Sequence, residues 1–405
     1  MLARSGRTPA FTPLVLLGVA GLFTALLVIF MVGPLLVDMA EDLGVPVAVA
    51  GQLNAPTPFV WLFVATLAGT LSDKYGRKPV LLVGIGGAAI GLLGTGHAWD
   101  FSSALVFRAV TGLMGVVPPT FGAVMGDHIP VERRGKALGL MATGMGFASV
   151  VGVAVMAIVG DAYGWRWSFY LAATLTAAMW MLVFVLLPGG KPSNIVPGTI
   201  LNRFIPLLRL SFIWDLSIAN FCNRLAFFAF NTYFAAYLIE QYGLSTAQTA
   251  LPIAVSGVGV IVASAGGGYL ADTRYRIWVI PIGTAIGGVL GLVLFGVGSH
   301  LVVTVALGLL LTTATSAPLT ALLTFMSIIG GPRRRGTAQS VPALSIQTGT
   351  TLGPILGGFA LATWGYGGIG VICGIAGGVA LLVGALRFRE GRLQEAADTI
   401  ARLDD

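Results

Sequence analysis

Charge is what this sequence has least of: Asp, Glu, Lys and Arg together make up 10% of its 405 residues, against about a quarter in an ordinary soluble domain. So little charge excludes a water-exposed globule of this size. The two cysteines, Cys222 and Cys373, both fall in apolar runs, which excludes a disulfide framework and offers no metal-ligand spacing. The three histidines, His97, His128 and His300, stand far apart near the ends of such runs. With no P-loop, no Ser/His/Asp arrangement and no Cys/His cluster, the sequence predicts neither an enzyme nor direct use of ATP, and no cofactor or metal is expected. Acids are missing from one further place, because none of the 16 Asp and Glu residues lies near the centre of an apolar run.

What is present is hydrophobic: 56% of residues, with a mean hydropathy of +0.90. About 20 apolar residues cross a bilayer as helix, and runs of that size recur at 11–37, 47–71, 79–97, 101–126, 137–159, 166–188, 210–239, 246–271, 277–298, 301–328, 337–362 and 365–386. This predicts an all-α integral membrane protein of twelve transmembrane helices, with the lipid bilayer as its surroundings. The first run follows Arg4 and Arg7 as in a signal peptide, but it is too long and lacks a small-residue cleavage site.

The formal charge of +7 would suggest nucleic acid in a soluble protein; here it reads as topology, and no nucleic-acid partner is expected. Of the 23 Lys and Arg residues, 20 fall in the N-terminus, the even-to-odd loops, the linker after span six or the C-terminal tail. The opposite loops hold Asp38, Glu41, Asp42, Asp100, Asp161 and Glu240, with Arg166 as their base. The positive-inside rule then places both termini in the cytoplasm of a multi-pass protein of the cell inner membrane. Arg108 and Arg224 remain inside spans.

The chain also repeats itself. "GTLSDKYGR" (69–77) matches "GYLADTRYR" (268–276) at a shift of 199, keeping Gly69/Gly268, Asp73/Asp272 and Arg77/Arg276. "RRGKA" (133–137) matches "RRGTA" (334–338), and "GVAVMA" (152–157) matches "GPILGG" (353–358), both at a shift of 201. Three matches in register predict a six-helix half at 1–188, a cytoplasmic linker at 189–209 and a second half at 210–405 with a short cytoplasmic tail.

Gly69, Asp73, Gly76, Arg77 and Lys78, between spans two and three, resemble the loop signature of the major facilitator superfamily, G-x-x-x-D-x-x-G-R-[RK]. Arg108, Gly112 and Gly115 are similar to its arginine-containing second motif, and "YGWRWSF" (163–169) to a common member pattern. The ending of span one, "PLLVDMAEDLGV" (34–45), looks most like the twelve-span drug:proton antiporters. The resemblance implies the major facilitator fold, two six-helix bundles around a central cavity that moves a small molecule by alternating access. Such a bundle can work as a monomer.

Residue chemistry gives the loop a reading of its own. Gly69 lets two helix ends approach, Gly76 permits a tight turn, and Asp73, ahead of the next helix, pairs with Arg77 four residues on. Asp127 at the end of span four is a second acid for Arg77. The group is either a gate latch or, for Arg77 and Lys78, a plain topology anchor.

Polar residues within spans are costly unless they face protein or a water-filled cavity. Asn220, Asn223, Arg224 and Asn231 share one face of span seven, continued by Tyr233 and Tyr237; Asn54, Thr57 and Trp61 share one of span two, Ser340 and Gln347 one of span eleven, and span ten offers Thr312, Ser316 and Thr320. These are candidates for a substrate cavity or for interhelical glue, and Arg224 is placed in the cavity. Arg108 is either a proton-coupling residue, as the resemblance implies, or a structural arginine bonded to carbonyls. Asp38 stands where similar antiporters carry an acid, and is the candidate proton carrier or an ordinary solvated acid. Antiporters of the superfamily carry a glycine- and proline-rich hinge ending G-P-x-x-G-G in span five. Here that site reads Gly152, Val153, Met156, Ala157, and the intact version, Gly353, Pro354, Gly357 and Gly358, stands in span eleven. Two functions stay open: proton-coupled export of a hydrophobic or amphipathic compound, and uniport or exchange of a small organic anion held by Arg108 and Arg224.

Overall fold

The protein is described by a computed structural model, in which residues 11–189, 205–271, 273, 275–298 and 300–404 are placed. Arg4, Arg7, Asp272, Arg274 and positions 190–204 of the linker lie outside the described residues, as does the Ser340 side chain. Every regular element among the described residues is helical.

Twelve spans follow one another. In the first half, α1 (Phe11–Phe30) runs on through Met31 into Val32–Asp42; α2 is Val47–Tyr75, α3 Arg77–Gly96, α4 Phe101–His128 and α6 Trp165–Leu186. Between the last two, α5 consists of Val131–Phe147 and Val153–Tyr163 joined by a π turn, Ala148–Gly152. The second half holds α7 (Ser211–Tyr242), α8 (Ala250–Ala271), α9 (Val279–Gly296) and α10 (Leu301–Ser340). A single helical stretch, Ala343–Arg387, contains α11 and α12 as its two arms, because Gly365 breaks it with φ 64°. A last helix, α13 (Glu390–Asp404), has the composition of a surface element.

Hydropathy misplaces one junction. Span ten was bounded at 328, yet α10 continues to Ser340. Apolarity marks where a helix leaves the bilayer, while arginine and glutamine remain good helix formers beyond that edge.

The halves meet toward one end. Phe30 stacks on Phe228 with centroids 6.0 Å apart and meets Phe227 edge-on at 6.4 Å. Hydrogen bonds cross from Asn54 Nδ2 to Thr232 Oγ1 at 3.0 Å, and from Thr246 Oγ1 to Asp38 Oδ2 at 3.0 Å. At the other end, which carries the α2–α3 turn and α13, a side chain added at Gly69, Gly122 or Gly126 would meet nothing within 4 Å. The molecule is closed at the α1–α2 end and parted at the end with the charged turn.

Candidate functional site

The charged turn is built around one guanidinium. Arg77 opens α3, and Gly76 before it has φ 94°, a conformation that strains any residue with a Cβ. That turn aims Arg77 at two acids: Nη1 lies 2.6 Å from Asp73 and Nε donates to Asp127 at 3.0 Å, while Nη1 also donates to Ser72 Oγ at 2.6 Å. Asp73 belongs to the last turn of α2 rather than to the approach to α3. The helix dipole there opposes its carboxylate, so Arg77 is what offsets the charge. Lys78 takes no acid; it donates to the Phe184 carbonyl at 2.6 Å and ties α3 to the end of α6. Gly69 makes no close helix contact in this conformation.

A pocket lies between the halves, just inside the closed end. Phe30 and Pro34 of α1, Ser149 and Val153 of α5, and Ile253, Ser256, Gly257 and Val260 of α8 form part of its wall. Phe227, Phe230, Asn231, Phe234 and Ala235 of α7 complete it with Thr312 of α10. No lining residue is charged. Its hydroxyls are turned to backbone carbonyls: Ser149 donates to Gly146, Ser256 to Pro252 and Thr312 to Ser256, at 2.9, 3.1 and 2.6 Å. Asn231 brings the one side-chain amide.

Of the span residues singled out by polarity, Asn231 and Thr312 line this pocket and the rest lie elsewhere. Trp61 is buried against Gly115 within the first half. Asn54 belongs to the closed seam, and Gln347 is buried in α11. Asn220 donates to Ser345 at 2.9 Å and Asn223 to Thr284 at 3.1 Å, both inside the second half. Arg224, 5% exposed, is turned away from open space. Its Nε donates to Asn223 Oδ1 at 2.9 Å, its Nη2 to the same oxygen and, at 2.5 Å, to the Thr315 carbonyl. The expected cavity arginine is therefore glue, because α9 and α10 bring a hydroxyl and a carbonyl within reach that helical periodicity cannot reveal. Its guanidinium also lies 5.1 Å over the Phe227 ring, which makes it a support behind one pocket wall.

Arg108 is fully buried. Its Nε donates to Leu53 and its Nη1 to Val28, each carbonyl at 3.1 Å, and its own carbonyl accepts from Thr57 at 2.7 Å. It stitches α1, α2 and α4 together with no carboxylate among these partners. Asp38 sits beyond the apolar run of α1, at the mouth of the closed seam, where it accepts from Thr246 of the second half. Burial raises its carboxyl above the ordinary carboxylate value, the Thr246 bond opposes this, and Asp161 and Glu41 push it up further.

The glycine- and proline-rich segment of α11 is a contact surface. The Tyr233 hydroxyl donates to the Pro354 carbonyl at 2.8 Å and approaches that of Ala48 at 3.3 Å. A Cβ at Gly353 would stand 2.7 Å from the Leu225 carbonyl. At the matching place in α5, where the proline is missing, the backbone instead makes its π turn, and Gly257 of α8 packs against the Ser149 carbonyl within it. Sequence reading missed this turn and the phenylalanines of the pocket; the run "FFAFNTYF" (227–234) was their visible signal.

Comparison with known proteins agrees with this architecture. A family model described as Major Facilitator Superfamily matches residues 18–341. The uncharacterized MFS-type transporter YwfA of Bacillus subtilis (strain 168) is 26% identical over 388 residues, covering 93% of each chain. Multidrug resistance protein MdtG of Proteus mirabilis (strain HI4320) is 31% identical over 40% of this chain and 41% of its own. Among solved structures, a bacterial homolog to the human lysosomal transporter Spinster, in an inward-facing and unoccupied conformation, superposes with a TM-score of 0.73 at 16% identity and covers 97% of both chains.

Proposed function

The chain belongs to the Major Facilitator Superfamily, and from that membership we propose that it exports a hydrophobic or amphipathic small molecule across the cytoplasmic membrane, by alternating access and in exchange for protons. The pocket carries this reading: four phenylalanines, one amide and no charge suit a ligand held by burial and ring contact, with Asn231 fixing its orientation. The two halves are the moving bodies, and both termini lie in the cytoplasm, so that the parted end faces inward.

Each part has a role in the cycle. Arg77 with Asp73 and Asp127 organises the cytoplasmic gate. Tyr233, Asn54 and the Gly353–Gly358 segment close the outer gate. Asp38 carries the proton, because its hydrogen bond joins the halves at the outer mouth and burial makes its charged form costly. The buried pair Arg108 and Arg224 gives some support to an organic anion as cargo, since no carboxylate neutralises either through the bonds described. Both guanidiniums are nevertheless occupied by neutral partners, which favours the uncharged pocket as the binding site.

The test uses reconstituted vesicles with an imposed pH gradient and two fluorescent probes, a lipophilic amine and a small organic anion. Amine flux that follows the proton gradient, stops with a protonophore and fails in Asp38→Asn is expected. Anion exchange that ignores the gradient would overturn the reading.

A further inference from the structure

The repeat holds an asymmetry. In the first half Arg77 takes one carboxylate from the end of α2 and one from the end of α4. In the second half Arg276 stands at the matching turn, but α10, the counterpart of α4, has no Asp or Glu in its forty residues. Arg276 reaches a carboxylate from another direction. Its Nε donates to Glu390 Oε1 at 2.9 Å, and its Nη2 donates to the same oxygen. Glu390 is the first residue of α13, where the helix dipole favours an acid.

This last helix is firmly docked. Leu393, Ala396 and Ile400 share one face of α13 and are buried, as is Phe388 just before it. Arg392 Nη1 donates to Asp215 at 2.6 Å and to the Arg387 carbonyl at 2.8 Å, and its Nη2 donates to Ser211 Oγ at 2.9 Å. Its guanidinium lies 5.6 Å over the Phe212 ring. These anchors join the start of α7, the α8–α9 turn and the end of α12, and all of them belong to the second half.

We infer that α13 supplies the acid that α10 lacks, with Glu390 as a positioning residue that holds Arg276 so that the cytoplasmic ends of the second half move as one body. The inference rests on the alternating-access reading, and it gives the second half a gate brace assembled from the tail instead of from a neighbouring span. It also explains how the second turn dispenses with a glycine like Gly76. Tyr275 there has an ordinary φ of −94°, and the turn is closed by a 3-10 segment, Arg276–Trp278, with α13 beneath it.

The test needs no cargo. In the full chain carrying Cys222→Ser and Cys373→Ser, spin labels on Leu71→Cys and Leu344→Cys, at exposed positions of α2 and α11, report the spacing of the cytoplasmic ends in lipid nanodiscs. Glu390→Gln is expected to change the ratio of parted to closed molecules by about two- to fivefold, the scale of one partly exposed ion pair. Arg276→Gln should give the same change, the double variant no more, and the exchange Arg276→Glu with Glu390→Arg should restore the original ratio. A merely structural contact would lower thermal stability and leave the ratio alone. An unchanged ratio in Glu390→Gln, or additive effects in the double variant, would overturn the inference; Glu390→Asp, which keeps the charge, serves if the amide variant misfolds, and a ratio further from the original than that of Arg276→Gln counts against it. Absence of probe flux in wild-type vesicles would instead sink the export reading while leaving this ratio measurable.

Discussion

Tyr233 occupies the space that a side chain at Gly358 would need: a Cβ there would lie 2.5 Å from the Tyr233 hydroxyl and 2.3 Å from the Ala48 carbonyl. A backbone carbonyl cannot step aside as a flexible side chain can. Gly358→Ala is therefore expected to oppose closure of the outer gate by about 1–3 kcal/mol, the usual cost of overpacking. Accessibility of a cysteine placed at Asn231 to a membrane-impermeant thiol reagent from outside should rise by about tenfold, as about 1.4 kcal/mol would give. No increase would mean that the seam adjusts without opening.

Arg77→Ala removes the partner of two carboxylates at once. Transport should be lost while surface expression and insertion stay normal, and Arg77→Lys should restore it only weakly, since an ammonium lacks the planar fork that reaches two acids. Full transport by well-inserted Arg77→Ala would return Arg77 to the role of topology anchor.

Asn231 and Arg224 are separated by the pocket wall, so their variants should differ in kind. Asn231→Leu keeps the volume and removes the amide; probe KM should rise about threefold to thirtyfold with the loss of one hydrogen bond. Arg224→Met should leave KM nearly unchanged and lower the thermal midpoint, because Asn223 Oδ1 and the Thr315 carbonyl lose their donor. Equal KM effects from both would place Arg224 in contact with the ligand.

Asp38 gives the pH dependence its sign. Its carboxyl is raised above 3.8 in the closed outer seam, so protonation favours this conformation and ionisation penalises it. As pH rises from the ordinary carboxylate value through the raised one, the seam should loosen; acidification from outside should close it. Asp38→Asn should hold it closed at every pH, with a flat flux-versus-pH profile. A profile like that of the wild type would assign the proton to another group.

The twelve spans were legible because the bilayer demands long apolar runs, and the duplicated loops because Asp73, Arg77 and their counterparts recur in register. The pocket was not. Polarity within a span identifies residues that need partners, and Asn220, Asn223 and Arg224 found theirs on neighbouring helices whose distance along the chain hides the contact. The pocket is instead made by phenylalanines, which a membrane sequence has in abundance, so nothing in composition sets Phe230 or Phe234 apart from residues facing lipid. Of that polar face of α7, Asn231 was visible and did reach the pocket, where α1 and α8 leave it room.

The π turn at Ala148–Gly152 has a consequence for how this half could be altered. It houses one residue more than a regular helical turn, and an α-helix turns about 100° per residue. Deleting one residue from the turn would thus rotate the remainder of α5, through Tyr163, by about that angle, carrying Val153 off the pocket wall. The same insertion in a regular helix is a defect; here it is the joint, and a joint of this type can slide along its helix by exchanging hydrogen-bond partners one at a time, which a proline fixed at a single position cannot do.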